Sequence, residues 1–364
     1  MPSPTSNGAA LHMPRQKDVA IHSLRGLALI FMVAGHVIGA TADRGMNVSD
    51  ESGWRLFYVL LEDIRMPLFT LLSGAVYAHR PVMPGRYGGL VKGKARRLLV
   101  PMITVGVLFF FVQLVTPGTN SKPEIGNLWR IFFFGYEHLW FAQAIFLIFL
   151  VVGALGLAGL LDSFGKWAAV TGVSCVLFLL VDAPTAAGVF SSAGAAQLLP
   201  FFLLGYGVTT YRQRIITPGT TAVLAAGLAV MLTLKVFAVP MGAAPHGLSL
   251  ALGVTGTMTL IALKDRLCWR PLAWLGQFSF AVYLLHVFGA AGTRLILGRL
   301  GIEGDALVFV LCLTVGIAAP VAFELICGRF ALISWGLLGQ KPRTSSKARP
   351  GLSVTSEETT STPR

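Results

Sequence analysis

Charge is the scarcest property of this sequence. Of 364 residues only 12% are Asp, Glu, Lys or Arg, about half the share of a soluble globular domain, which excludes a chain whose surface is mostly wetted. Acidic residues are scarcer than basic ones, 16 against 29, leaving a net charge of +13. Cysteine is also rare. The four, Cys175, Cys268, Cys312 and Cys327, form no CxxC pair. Three lie in apolar runs and read as packing residues, so neither a disulfide framework nor a metal site is expected. Walker, GxSxG, HExxH and dinucleotide-binding patterns occur at no convincing position. No internal repeat is visible, which counts against many secondary-transporter folds. Residues 1–17 lack an apolar core with a small-residue cleavage site, so a removable signal peptide is not expected.

What the chain has in abundance is apolar length. It is 54% hydrophobic with a mean hydropathy of +0.71, and runs of about 18 to 25 apolar residues recur from end to end, the pattern of a polytopic helical membrane protein. Ten stretches stand out: 19–42, 54–78, 98–116, 138–160, 167–181, 195–211, 220–239, 248–263, 271–290 and 305–327. Segment 331–338 is too short to span. Lys and Arg crowd the loops after the even-numbered stretches, above all Arg80, Arg86, Lys92, Lys94, Arg96 and Arg97, while the other side holds few, such as Arg44, Lys122, Arg294 and Arg299. The positive-inside rule then places both termini in the cytoplasm. Because topology accounts for the basic excess, nucleic acid is not expected as a partner. The expected fold is all-α with about ten transmembrane helices. Residues 1–17 read as a disordered cytoplasmic tail, 18–330 as one membrane domain, and 331–364 as a short amphipathic segment with a disordered tail.

Ionisable residues inside such stretches are costly in lipid and mark function by default. Arg25 and His36 lie eleven positions apart on the first stretch. At about 100° per residue that is three turns plus roughly 20°, so both share one helical stripe, roughly 16 Å apart along the axis. Histidine titrates near neutrality and suits a general base. Arg65 falls near the middle of the second stretch, at a depth similar to His36, and Pro67 beside it tends to open the helix and make room for a polar pocket. A structural alternative pairs Arg65 with Glu62 or Asp63. Lys94 and Arg97, at i and i+3 where the third stretch enters the membrane, are able to hold phosphates, or serve only as positive-inside anchors. His138 and Trp140 open the fourth stretch, where the tryptophan also fits an interfacial anchor. Ser279, Tyr283 and His286 form a polar stripe on the ninth, explicable also by helix packing.

In order and spacing these segments resemble the family-three integral membrane acyltransferases, which O-acylate bacterial cell-surface and exported glycans and some antibiotics. The resemblance rests on Arg25-x10-His36, on Arg-Met-Pro-Leu-Phe with Ser-Gly (Arg65 to Gly74), and on Lys94-x-x-Arg97 before Pro101. It is completed by His-Leu-Trp-Phe (His138 to Phe141) and Gly276-x-x-Ser279 with Tyr-Leu-Leu-His ending at His286. At one place the chain departs. Many members carry Asp two residues before the leucine of the Leu-Arg-Gly triplet, where this chain has His22, with Asp18 one turn away. The resemblance implies transfer of an acyl group, usually acetyl, from cytoplasmic acyl-CoA to a hydroxyl of a lipid-linked or exported glycan, in the bacterial inner membrane. It implies that Lys94, Arg97 and Arg25 hold the CoA phosphates and pantetheine. His36 would be general base or acyl carrier, and Arg65 would stabilise the oxyanion or position the thioester. His138, Trp140, Ser279, Tyr283 and His286 are the candidate substrate-binding residues, and no metal is expected. The alternative is a proton-coupled exporter with His36 and Arg65 as its relay.

Overall fold

The computed structural model describes residues 16–119, 122–239 and 244–340, so most of both tails lies outside the described residues. In an apolar solvent a backbone satisfies its polar groups within its own helix, and the described residues accordingly hold helices and one isolated bridge, Phe134 to Val189, but no named strand. The long elements are α1 (Gln16–Ile38), α2 (Gly53–Ala78), α3 (Tyr87–Val115), α4 (Trp140–Leu157), α5 (Phe164–Leu180) and α6 (Ser192–Thr210). They continue with α7 (Pro218–Phe237), α8 (His246–Ala262), α9 (Arg270–Gln277), α10 (Ser279–Arg299) and α11 (Asp305–Cys327), followed by the short α12 (Ala331–Gly336).

Six of these helices are long and apolar enough to cross a membrane: α1, α3, α4 with its preceding turn, α7, α10 and α11. The chain is a multi-pass membrane protein. The others fall short for visible reasons. Helices α5 and α8 have 17 residues. Helix α2 carries Arg55, Glu62, Asp63 and Arg65, and α6 is diluted by Gln197, Pro200 and glycines. Two expected stretches change shape. The third begins eleven residues earlier than its apolar run, at Tyr87, because the basic segment is itself helical and passes through a π-turn at Ala95–Leu99. The ninth is not one helix: it breaks at Phe278, leaving α9 as a separate short element.

Small residues set the closest crossings, as expected where lipid gives no hydrophobic drive between helices. A methyl group at Gly74 of α2 would strike the Phe202 backbone of α6, and one at Gly205 would strike the Leu71 carbonyl. Gly26 of α1 and Gly276 of α9 pair likewise, against the carbonyls of Leu272 and His22. Side chains then lock the frame. The Ser23 hydroxyl donates to the Trp269 carbonyl at 3.0 Å and accepts from the Trp269 amide at 3.0 Å. The indole of Trp167 on α5 donates to the Leu203 carbonyl at 2.8 Å. Peripheral α7 is tied inward by Lys235, which is buried and bonds Glu62 at 2.9 Å and also Asp63 on α2.

Candidate active site

Two polar features lie along α1, one near each end. At the Arg25 level is a cavity of about 820 Å³ that runs from the exposed α2–α3 loop inward to Ser279 and Tyr283 on α10. Five basic residues line it: Arg25, Arg80, Arg86, Lys94 and Arg97. The local chain explains how α3 serves it. Gly153 leaves room for Leu90 and Tyr87 to lie on α4, and the Tyr87 hydroxyl donates to the Leu150 carbonyl at 2.9 Å. The ammonium of Lys94 stands 3.2 Å above the Phe149 ring centroid, so its stem lies on an aromatic floor. The π-turn falls between Lys94 and the apolar remainder of α3, the kind of local helix defect that recurs at functional sites.

Deeper lies a group of three histidines from three helices or helix starts. The ring of His36 is 4.9 Å from that of His286 and 6.0 Å from that of His138, and the latter two are 4.9 Å apart. His138 and His286 are buried, yet His36 keeps open surface, so it faces a space within the bundle. The tautomers follow from the partners. His286 Nδ1 lies 2.9 Å from the Val282 carbonyl and 3.0 Å from the Tyr283 carbonyl, and a carbonyl only accepts. The hydrogen is therefore on Nδ1, and Nε2 carries a lone pair with no hydrogen-bond partner among the described residues. His138 is the mirror case. Its Nε2 donates to the Leu284 carbonyl at 3.2 Å, leaving Nδ1 without a partner.

Tyr283 joins the two features. It lines the basic cavity, its hydroxyl donates to the His138 carbonyl at 3.2 Å and accepts from the Ala142 amide at 3.0 Å, and its ring lies 6.0 Å from that of His138. Arg65 of α2 packs against α1 at Gly35, the residue before His36. Its guanidinium donates to the Tyr58 hydroxyl at 2.7 Å, stacks 4.5 Å over that ring, and sets Nη1 against Gly35 with no hydrogen-bond partner among the described residues. The alternative pairing of Arg65 with Glu62 or Asp63 is not what forms, because Lys235 takes both carboxylates. Pro67 cannot donate to the carbonyl four residues back, that of Asp63, which lies against Gly253 of α8.

A family model described as an acyltransferase domain, the third of its name, matches residues 18–325. The chain belongs to acyltransferase family 3. Neither the curated proteins nor the solved structures give a match. Membership makes this a membrane acyltransferase and removes the ground for the exporter, and it supplies a role for an acyl donor. Among the described residues no group of His, Cys, Asp and Glu is arranged to hold a metal ion.

Within this acyltransferase, Arg25, Lys94, Arg97, Ser279 and Tyr283 share the basic cavity, and His36, Arg65, His138 and His286 share the inner cluster. Trp140 reaches neither. Its ring packs on Phe141 at 6.0 Å and against Gly194 of α6. His22, at the place of the family aspartate, is partly buried, and its carbonyl meets Gly276. Three contributors escape a reading of motifs. Arg80 and Arg86 lie just before α3, in the basic segment that runs on into Lys94, and were legible only as charge. Arg55 is 2% exposed and bonds the carbonyls of Gly39 and Val48 and, at 3.2 Å, the carboxylate of Asp50, so it pins the loop that closes α1 just beyond His36.

Proposed function

We propose that this acyltransferase moves a short acyl group, acetyl in the simplest case, from cytoplasmic acyl-CoA to a hydroxyl of an exported or lipid-linked glycan on the opposite face of the bacterial cytoplasmic membrane. The observation that carries the reading is the basic cavity ending at Tyr283, with the histidine cluster immediately behind it. By the positive-inside rule its basic mouth faces the cytoplasm, both termini lie on that side and the chain crosses about ten times. Five cations suit the phosphates of CoA, and the roughly 16 Å rise along α1 from Arg25 to His36 suits an extended pantetheine arm.

His36 then acts as general base. It removes the proton of the acceptor hydroxyl as that oxygen attacks the thioester carbonyl, and the tetrahedral oxyanion forms beside Arg65, whose Nη1 is free to donate. Collapse breaks the carbon–sulfur bond, and the proton held by His36 passes to the departing thiolate. His138 and His286, with rings 6.0 and 4.9 Å from that of His36, each keep a nitrogen without a partner among the described residues, which suits them as acceptors to orient the acceptor hydroxyl or the protonated His36.

The test has two arms. Purified wild-type protein is expected to bind acetyl-CoA, and Lys94→Ala with Arg97→Ala to weaken binding by at least about tenfold, since two charge-assisted phosphate contacts are lost. Mass spectra of surface polysaccharide from a deletion strain are expected to lack O-acetyl groups that return with wild-type protein but not with normally inserted His36→Ala. Full acylation by His36→Ala would end the catalytic assignment.

A further inference from the structure

Cations are rare at the end of the bundle opposite the basic cavity, and the positive-inside rule disfavours them there. Among those on that side, Arg44 is committed to Glu137 at 3.8 Å and buried Arg55 to Asp50 at 3.2 Å. Arg294 and Arg299 line one cavity of about 570 Å³, a volume typical of a small-molecule site. Among the described residues its wall contains no acidic side chain. The Arg294 guanidinium is fixed in place by donating to the Gly45 carbonyl at 2.8 Å, while Arg299 is exposed. Leu297, Ile302 and Val308 make the rest of the wall apolar. The rim comes from two loops, at Asn47 and at Pro117–Gly118. Met46, also in the rim, donates its amide to the Ile38 carbonyl at 3.3 Å, which puts the cavity just past the end of the helix that carries His36.

A concave surface with two guanidiniums, no carboxylate and an apolar side is matched by an anion with a hydrocarbon body. We propose that this cavity binds the phosphate head of an amphipathic ligand, with Arg294 and Arg299 on the phosphate oxygens and the leucine, isoleucine and valine wall against the hydrocarbon. The proposal rests on the transfer reading for its placement on the acceptor side. An isoprenyl diphosphate and an anionic phospholipid share this chemistry, and the experiment separates them.

Full-length protein in phosphatidylcholine nanodiscs is titrated with geranylgeranyl diphosphate or with phosphatidic acid, and bound lipid is counted by native mass spectrometry. Retention of either probe, weakened at least about tenfold by Arg299→Gln and by raised salt, supports the site. The tighter probe names the source, isoprenyl diphosphate or bilayer phospholipid. Arg294→Gln is expected to act in the same direction. Because Arg294 also holds the loop at Gly45, the exposed Arg299 carries the decision. Binding of neither probe, or binding indifferent to Arg299→Gln, overturns the proposal. Acetyl-CoA binding by the same samples reports the donor cavity separately, so loss of one reading is not mistaken for loss of the other.

Discussion

The Arg65 guanidinium packs onto α1 beside His36 because Gly35, the residue before His36, has no side chain. The guanidinium lies across the Cα of Gly35, and a Cβ built there would overlap Nη1. Gly35→Ala therefore tests the pairing without touching either charged group. The substitution is favourable to the helix itself, so the protein is expected to insert and accumulate normally. Turnover is expected to fall by at least about tenfold, as it does when an oxyanion donor is displaced. In an Arg65→Ala background the same change is expected to add little, because the two act on one interaction. Unchanged turnover in Gly35→Ala would detach Arg65 from the reaction. This also marks what was legible at the residue scale. The eleven-residue spacing of Arg25 and His36 survives folding because a helix preserves its period, so the stripe was visible in the letters. The closeness of His36 to His138 and His286 was not, since it depends on how α1, α4 and α10 meet, and no periodicity within one helix records a crossing.

At the scale of elements, α2 and α6 form the joint on which the site depends, because α2 brings Arg65 and α6 backs it. Gly205 lies against the Leu71 carbonyl, where a larger side chain meets backbone and not a movable tip. Gly205→Leu is expected to force the helices apart at a cost of about 1–3 kcal/mol, read as a lower melting temperature in detergent. Gly172→Ala on α5, with open space at its Cβ, is expected to leave the melting temperature unchanged. Equal melting of both variants would deny the joint. Helix existence was largely readable from apolar runs, but two boundaries were not. Tyr87–Leu99 is helical despite its charge because it packs on α4 through Leu90, Tyr87 and Lys94, and tertiary packing overrides composition. The break at Phe278 falls inside an apolar stretch with no proline to announce it.

For the whole molecule the transfer reading requires one orientation, since a donor made in the cytoplasm must meet a cavity that opens there. The sequence supplies this only as a bias of Lys and Arg between loops, a statement about insertion and not about the folded bundle. The structure offers a native reporter. Among the four cysteines Cys268 is exposed, Cys312 is buried and the other two are intermediate. Cys268 stands next to Trp269, whose backbone is bonded twice to Ser23 at the start of α1. It therefore lies at the same end of the bundle as Arg25 and the basic cavity. A membrane-impermeant maleimide is expected to label inverted membrane vesicles and to lose most of that label in Cys268→Ser. Intact spheroplasts are expected to remain unlabelled. Glu51→Cys, placed in the Cys268→Ser background on the exposed loop at the other end, is expected to show the reverse pattern. If Cys268 instead reacts from outside the cell, the five cations of the cavity face away from the pool of acyl-CoA, and the assignment of that cavity to a cytoplasmic donor falls with them.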